Sequence, residues 1–332
     1  MNLNKVIIWG HQLHNHTHSY IHNAFYIGFK HLGYKVYWFN EEGVNNYPNP
    51  NEKVDFNNSL YIVHGLESKN LPLNNTSFYV CHNVDWVCNN NDYKIPKSHV
   101  LINNSEGIPS NNIMRLQVYC IGCLHEKKFN DFQYYRYSDN YNLIYMPWAT
   151  DLLPHEIDEN IKNLESFNIK KISNFIGMSL DHWGDFKNEL LKYNIEYKNY
   201  GGTFDISSKR NKSIEENMVL IQESIIAPAL QTQWQIDNHY IPCRIFKNIS
   251  YGKMGITNNP TVYELFDKKI IYSNSIDELV KKGLEFNDRP DRNNIIMELM
   301  INVRDNHTYL NRINFILDFI KINKNITLRE IV

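Results

Sequence analysis

The feature that most constrains the fold is the way the chain opens. Lys5 to Trp9 (KVIIW) is a short apolar run typical of a buried strand. After a polar loop, apolar residues recur at helical spacing from Tyr20 to Leu32 and end at Gly33. Lys35 to Phe39 (KVYWF) then predicts a second strand. A strand, a helix and another strand in this order form the unit of parallel, doubly wound sheets, so the opening predicts an α/β fold.

The same alternation continues through the first half of the chain and then starts afresh. The further strands predicted in the first half are Ser59–His64, Ser77–His82, Val100–Asn103 and Leu143–Met146. The segment MPWATDLLP follows, and its two prolines and lack of periodicity are typical of a linker. After it the predicted strands are Ile172–Met178, Glu196–Tyr200, Ile225–Ala229 and Met254–Thr257, and the predicted helices are Asp185–Leu191, Ile214–Ser224 and Arg244–Ser250. We therefore predict a first domain over residues 1–146, a linker over 147–154 and a second domain over 155–332.

The length of the chain agrees with two domains. At 332 residues it exceeds the roughly 100 to 200 residues of a usual single domain. Ligands of doubly wound sheets bind outside the carboxyl ends of the strands, so two such domains facing each other would hold a substrate in the cleft between them. The predicted fold class is α/β, with two Rossmann-like doubly wound domains facing a cleft.

Charge and composition bear on the possible partners. The formal net charge of −2 gives the chain no overall attraction for a polyanion, so we expect no nucleic-acid partner. No apolar stretch approaches the roughly 18 residues of a membrane span, and the N-terminus lacks the apolar run of a signal peptide. The five cysteines are an odd number and scattered, which fits reduced thiols. We expect a cytoplasmic protein, whose oligomeric state the sequence leaves open.

The segment from Tyr240 to Pro260 carries the strongest signal for a binding site. Its predicted helix has Arg244 and Lys247 one turn apart, and Gly252 closes the helix before GIT. Cations three residues apart near a helix start converge, and the helix N-terminus adds its own attraction for anions. The segment therefore predicts a receptor for a diphosphate. An exposed helix with ordinary surface charges is the alternative.

The same segment resembles the donor-binding region of GT-B glycosyltransferases. Similar sequence occurs in CgeB-like glycosyltransferases and, more distantly, in the phage DNA β-glucosyltransferase. The resemblance implies a GT-B fold and a nucleotide-sugar donor, with Arg244 at the diphosphate. Many relatives carry a Glu one helical turn later to hold the ribose, where this chain has Lys247, and Glu264 is a substitute for it. The segment Asn306–Ile320 resembles the closing helix of CgeB-like proteins, which often packs back across the domains.

A glycine-containing loop supplies the second part of the expected donor site. FIGMSLDHWGDF (Phe175 to Phe186) begins as a strand and enters a loop where GT-B relatives approach the donor phosphates with backbone N–H groups. The resemblance assigns Gly177 and Ser179 to this contact, and Asn258 is a further donor candidate. The sequence has no DxD triad and no GxGxxG loop. We therefore expect donor binding without a metal and without a cofactor.

Histidines crowd the loop after the first predicted strand. The string HQLHNHTHSYIH contains His11, His14, His16, His18 and His22. An HxH after a first strand is how some metal-dependent hydrolases begin a metal centre, but such enzymes need further ligands from later strands, and the sequence shows no clear set. In a GT-B chain the loop would face the cleft, where imidazoles such as those of His16 and His18 could bind sugar hydroxyls or assist proton transfer. Loop histidines without a role are the third interpretation.

The candidate general base follows another predicted strand of the first domain. FYVCHNVDW (Phe78 to Trp86) ends in His82 and Asp85. In an inverting transferase one side chain must take the proton of the acceptor hydroxyl. The phage DNA β-glucosyltransferase has an Asp at the comparable strand end, and this resemblance favours Asp85, then His82, then His16 or His18. A turn or capping role for Asp85 is the alternative.

These features together predict a glycosyltransferase. It would move a sugar from a UDP- or GDP-linked donor to a hydroxyl of a glycan or similar acceptor, without a metal and with inversion. The alternatives are a GT-B-type NDP-sugar epimerase, a metal-dependent hydrolase that uses the His11–His22 cluster, and a carbohydrate-binding protein without catalysis.

Overall fold

The structure is a computed structural model, and it describes residues 1–40, 42–64, 70–82, 112–118, 127–128, 134–138, 143–177, 183–201 and 211–330. It divides into two compact units. The first consists of Met1–Pro147 together with Tyr309–Val332, and the second is Trp148–Thr308. The chain therefore leaves the first unit once and returns to it for its C-terminal segment.

The described elements alternate between strands and helices along most of the chain. The strands are β1 (Asn2–Leu3), β2 (Lys5–Trp9), β3 (Val36–Phe39), β4 (Asn45–Tyr47), β5 (Ser59–His64), β6 (Phe78–His82), β7 (Ile113–Gln117), β8 (Lys127–Lys128), β9 (Arg136–Ser138), β10 (Leu143–Tyr145), β11 (Ile172–Ile176), β12 (Glu196–Tyr200), β13 (Ile256–Thr257), β14 (Ile271–Tyr272) and β15 (Thr327–Leu328). The helices are α1 (Ser19–His31), α2 (Pro154–Lys162), α3 (Trp183–Lys192), α4 (Ile214–Glu223), α5 (Gln233–Asp237), α6 (Cys243–Ser250), α7 (Pro260–Leu265), α8 (Ile276–Asn287), α9 (Arg292–Asn306) and α10 (Tyr309–Lys324). A short 3-10 helix, Leu164–Ser166, follows α2.

A parallel sheet forms the centre of the first unit. Its strand order is β4-β3-β2-β5-β6-β7-β10-β9-β8, and the six strands from β3 to β10 pair in parallel. The outer pairs β3–β4, β10–β9 and β9–β8 are antiparallel. The first two parallel strands in the chain, β2 and β3, are neighbours, and β5 lies on the other side of β2. The strand order therefore reverses at β2, as it does in doubly wound folds.

The apolar runs of the sequence explain why these strands lie at the centre. Every residue of β2, β5 and β6 is buried, as expected for parallel strands that are covered on both faces. On one face the aromatic rings of Tyr61 and Tyr79 stack, with their centroids 4.6 Å apart, inside an apolar cluster. Helix α1 buries Phe25 and Phe29 and packs against the sheet and α10.

The C-terminal helix is an integral part of the first unit. Arg312 of α10 is fully buried, and it donates hydrogen bonds from Nε to the carbonyl of Pro147 at 2.8 Å and from Nη1 to the hydroxyl of Tyr135 at 2.7 Å. The short strand β15 then pairs in parallel with β1. A buried guanidinium is costly unless its donors are satisfied, so these contacts fix the position of α10.

The second unit has a smaller parallel core. β11 pairs with β12 and β13 pairs with β14, all in parallel. Residues 224–229 connect the two pairs, because the N–H of Ile225 donates to the carbonyl of Ile172 and that of Ala229 donates to the carbonyl of Ile256, each at 2.8 Å. The predicted strand Ile225–Ala229 is thus reduced to bridging contacts between β11 and β13.

The structure confirms the predicted α/β class and its dominance by parallel strands. The predicted strand at Val100–Asn103 lies outside the described residues. Within the part of the chain that the structure describes, no helix combines the length and the apolar character needed to span a membrane.

Candidate functional site

The second unit brings Arg244 to the loop that follows β11. Arg244 is the second residue of α6, and its Nε donates a hydrogen bond to the carbonyl of Ile176 at 3.1 Å. The guanidinium carbon lies 4.1 Å from the centre of the Phe175 ring, a cation–π contact. Burial lowers the pKa of Arg244 from its ordinary value, but a guanidinium stays protonated in proteins. A half-buried cation is therefore held at the carboxyl end of a parallel strand.

The glycine after β11 permits this close approach. Gly177 has a φ of +135°, and a Cβ at this position would overlap Nη2 of Arg244. On its other side a Cβ at Gly201, directly after β12, would overlap the backbone of Gly177. Side chains at either position would push the loop and the guanidinium apart. The predicted pair Gly177 and Arg244 is thus in direct contact, and the structure adds Gly201 to it.

Lys247 has a different partner. Its Nζ lies 2.7 Å from Oδ2 of Asp151, whose side chain is only 4% exposed. The hydroxyl of Tyr251 donates to Oδ1 of the same carboxylate at 2.7 Å, and burial, together with Asp151, raises the pKa of Tyr251 well above its ordinary value. Lys247 therefore balances the charge of a buried carboxylate within the second unit. The predicted convergence of Arg244 and Lys247 on one diphosphate stays a prediction.

The remaining donor candidates lie elsewhere in the second unit. The amide of Asn258 bonds the backbone of Gln231 twice, accepting from its N–H and donating to its carbonyl, each at 2.9 Å. Glu264 is exposed on α7 and pairs with Lys268 one turn later at 3.2 Å. Ser179 lies outside the described residues. These contacts give Asn258 a structural role, and the donor roles of all three stay predictions.

One cavity of the second unit is lined by residues other than Arg244. Its lining is mainly apolar and includes the side chains of Phe167, Ile226 and Ile296. Lys253 and Arg292 also line it, whereas Arg244 and Gly177 do not.

In the first unit the histidines gather at the carboxyl ends of three neighbouring strands. His11 follows β2, while His64 and His82 are the last residues of β5 and β6 and are direct partners in the register of these strands. The ring centres of His18 lie 4.5 Å from His64 and 5.6 Å from His82. His16 stacks on His11, with centres 4.1 Å apart. The predicted candidates His16, His18 and His82 therefore belong to one cluster.

Hydrogen bonds join the rings of two pairs of histidines within this cluster. Nε2 of His22, in the first turn of α1, lies 2.8 Å from Nε2 of His82. Nδ1 of His16 lies 3.1 Å from Nδ1 of His18. In each pair one ring must carry the proton and the other must accept it, which requires at least one neutral ring.

Burial keeps these rings neutral at physiological pH. It lowers the pKa of His18, His64 and His82 well below the ordinary value and that of His22 to about 3, and the neighbouring histidines lower each further. A base whose pKa lies far below the working pH gains little by taking a proton. His82 is therefore a weak candidate for the general base. Asp85 lies outside the described residues, and its role as the base stays a prediction.

Sequence reasoning missed several residues of both sites. His64 could have been placed beside His82, because the predicted strands Ser59–His64 and Ser77–His82 both end in histidine. Asp151 could not be recognised as the partner of Lys247, because 96 positions separate them. Gly201 follows a predicted strand, but only the folded backbone shows how close it comes to Gly177.

Comparisons with known proteins show a likeness of fold. No protein-family model matches the chain, and no curated protein sequence matches it. Among solved structures, an alpha-glucosyltransferase in complex with UDP-glucose and DNA containing an abasic site matches with a TM-score of 0.52, 8% identity and coverage of 93% of this chain and 96% of that one. An alpha-glucosyltransferase in complex with UDP and a 13-mer DNA containing a central A:G mismatch matches with a TM-score of 0.51 and 10% identity. This match covers 93% of this chain and 96% of that one. An alpha-glucosyltransferase in complex with UDP and a 13-mer DNA containing a HMU base matches with a TM-score of 0.50 and 8% identity, over 94% of this chain and 99% of that one.

These matches confirm the predicted distant resemblance to a phage DNA glucosyltransferase at the level of the fold, with neighbours of the GT-B type. The likeness spans nearly the whole of both chains. The CgeB-like resemblance finds no support among them and stays a prediction.

The same matches correct one expectation. The net charge of −2 led us to expect no nucleic-acid partner, yet the three neighbours are complexes with DNA. That expectation was wrong. Net charge is a sum over the whole chain, whereas binding to phosphates depends on how the Lys and Arg residues, 34 in this chain, are placed on one surface.

Proposed function

We propose that the protein is a glycosyltransferase that takes a sugar from a UDP- or GDP-linked donor and passes it to an acceptor hydroxyl. The fold supports this proposal, because its solved neighbours are glucosyltransferases with UDP or UDP-glucose and match over more than nine tenths of each chain. Fold alone does not define an activity, so the proposal also needs a site of suitable chemistry.

The observation that carries the proposal is the contact of Arg244 with the loop at Gly177. Nε of Arg244 donates to a backbone carbonyl, and among the described residues no carboxylate lies within 4.0 Å of its guanidinium. The guanidinium lies at the carboxyl end of β11, where ligands of parallel sheets bind. It also belongs to the first turn of α6, where the helix dipole favours negative charge. A diphosphate is the ligand that suits this combination.

The same arrangement suits catalysis as well as binding. When the bond to the sugar breaks, negative charge grows on the leaving diphosphate. A cation held in place beforehand stabilises that charge without reorganisation. Arg244 is fixed from two sides, by the carbonyl of Ile176 and the ring of Phe175. We propose that donor binding at this loop relies on Arg244 and on backbone N–H groups rather than on a divalent ion, with Lys247 as a contributor only if it leaves Asp151.

The acceptor is proposed to be a hydroxyl group, with Asp85 as the base that removes its proton. Inversion at the sugar rests on that role of Asp85. Because the neighbours hold DNA, duplex DNA with a HMU base is the first acceptor to test, and glycans are the second class. The anomeric configuration of the product, read from its proton NMR coupling, decides between inversion and retention.

Nucleotide binding tests the donor site directly. Isothermal titration with UDP and with GDP should show binding to the wild-type protein and roughly 10- to 100-fold weaker binding to Arg244→Gln, because a charge-assisted hydrogen bond contributes about 1.5–3 kcal/mol. Arg289→Gln is the matched control, since this exposed arginine of the same unit pairs with Asp291. Equal affinity of wild type and Arg244→Gln, or no binding of either nucleotide by the wild type, would refute the donor site.

Turnover separates the competing activities. Release of UDP or GDP that requires an acceptor supports transfer. Conversion of the nucleotide sugar when it is the sole substrate would instead indicate an epimerase. Affinity for glycans without affinity for nucleotides would indicate a carbohydrate-binding protein.

A further inference from the structure

The histidine cluster of the first unit occupies the place where doubly wound folds bind ligands. In the sheet, β3 lies on one side of β2 and β5 on the other, so the strand order reverses at β2. The crevice outside the carboxyl ends at such a reversal is the usual ligand site of these folds. His11 follows the carboxyl end of β2, and His64 and His82 end β5 and β6. The position alone singles out the cluster as a candidate site.

Three of these histidines are close enough to share one ion. One ring nitrogen from each of His18, His64 and His82 lies within 4.8 Å of the others. A metal ion at about 2.0–2.1 Å from each of three nitrogens, in tetrahedral geometry, requires these nitrogens to be roughly 3.3 Å apart. Small rotations of the rings would cover this difference. His18 precedes α1 and is half-buried, whereas His64 and His82 are buried, so this adjustment would fall mainly on His18.

The chemistry of the three side chains selects the kind of ion. Imidazole nitrogen suits zinc and its first-row neighbours, whereas magnesium and calcium prefer oxygen ligands. The three histidines therefore suit zinc or a similar first-row ion rather than magnesium or calcium.

Neighbouring histidines supply the contacts that usually surround metal ligands. A ligating imidazole commonly bonds a second group through its other nitrogen, and this contact fixes the ring. Nε2 of His82 lies 2.8 Å from Nε2 of His22, and Nδ1 of His18 lies 3.1 Å from Nδ1 of His16, so an ion would take the other nitrogen of each ligand ring. His22 is itself held against Gly10, where any side chain would overlap its ring. These supports orient two of the three rings.

We propose that His18, His64 and His82 form a binding site for one divalent transition-metal ion of the zinc type, with a fourth position open to an oxygen ligand. Three protein ligands with an open position are typical of reactive zinc sites, which lower the pKa of a bound water or hydroxyl. The site lies in the first unit, apart from the nucleotide residues proposed above. Its existence does not depend on the proposed glycosyl transfer.

Metal uptake by the full chain tests the proposal. Protein stripped with a chelator and dialysed is titrated with Co²⁺, whose visible absorption reports four-coordinate geometry, and then with Zn²⁺ as competitor. We expect one equivalent of Co²⁺ per chain, displacement by Zn²⁺ and no displacement by Mg²⁺. His18→Asn should weaken Co²⁺ binding by roughly 100-fold or more, because loss of a ligand exceeds the 10- to 100-fold cost of losing a supporting contact. His31→Ala, at the exposed end of α1, is the control and should bind as the wild type does.

X-ray absorption at the zinc edge of the wild-type protein needs no variant. Nitrogen scattering with about three imidazoles supports the site, whereas sulfur scattering would place the ion at cysteines and overturn the proposal. Failure of the wild type to take up Co²⁺ or Zn²⁺, or equal affinity of His18→Asn and wild type, would also overturn it. Nucleotide titration of the same samples is scored separately, so failure of the metal site leaves the test of Arg244 intact.

Discussion

Lys253 is a buried lysine whose charge should destabilise the second unit at neutral pH. Lys253 is only 5% exposed, and it lines the apolar cavity formed in part by Phe167 and Ile226. Burial, and then the charge of Arg292, lower the pKa of Lys253 from 10.5 to about 7. We predict that Lys253→Met stabilises the protein at pH 7, because the variant fills the same space without a charge.

The expected gain in stability follows from the size of the shift in the pKa of Lys253. Lys253 has a pKa of 10.5 in the unfolded chain and about 7 in the folded chain, a difference that corresponds to roughly 5 kcal/mol. Between these two values the unfolded chain binds more protons, so the wild-type stability rises with pH from 7 towards 10.5 and is lowest below 7. The cost of the charge is about 4 kcal/mol at pH 7 and about 2 kcal/mol at pH 9.

Urea unfolding followed by circular dichroism at both pH values measures this cost. The stability gain of Lys253→Met over wild type should shrink by about 2 kcal/mol between pH 7 and pH 9. Lys281→Met is the control, since Lys281 is 67% exposed on α8, and it should change stability by no more than about 0.5 kcal/mol at either pH. A variant that is less stable than wild type at pH 7 would show that Lys253 is stabilised as a cation and would contradict the expected cost of its charge.

Three further substitutions test other contacts. Gly177→Ala should weaken UDP binding at least tenfold in titration calorimetry, because its Cβ overlaps the guanidinium of Arg244; unchanged affinity would separate this loop from the donor. Asp151→Asn should lower the urea midpoint by the equivalent of about 3–5 kcal/mol, since it leaves Lys247 without its buried counter-charge, and a loss below about 1 kcal/mol would contradict that role. Arg312→Met should be destabilising by about 1–3 kcal/mol by the same assay, because two buried acceptors lose their donor, whereas a stabilised variant would show that the charge costs more than its bonds contribute.

The sequence predicts the fold best where a strand is a continuous apolar run. The predicted bounds of β2 and β5 agree with the structure residue for residue. β7 has the sequence IMRLQ, with a charged residue at its centre, and it carries no such signal. It is a strand because β6 and β10 flank it in the sheet, and pairing of this kind is set by distant parts of the chain.

Only part of the candidate donor site can be recognised from short stretches of sequence. Gly177 follows β11 directly and Arg244 is the second residue of α6, so both could be singled out from nearby residues. Their contact with each other, and that of Lys247 with Asp151, arise only on folding. A cation on a helix face is therefore a weak predictor of a phosphate site until its carboxylate partners are known, because buried carboxylates compete for it.

The separation of the two sites into different units allows their roles to be distinguished. If the metal site acts on the acceptor, removal of the ion should lower turnover while the affinity for UDP stays the same. If the ion also strengthens UDP binding, then UDP must strengthen ion binding by the same factor, because coupling between two equilibria is reciprocal. Titrating Co²⁺ into the wild-type protein with and without saturating UDP therefore measures how strongly UDP changes the affinity for the ion. The Arg244→Gln variant should show no such change, while its affinity for Co²⁺ stays that of the wild type.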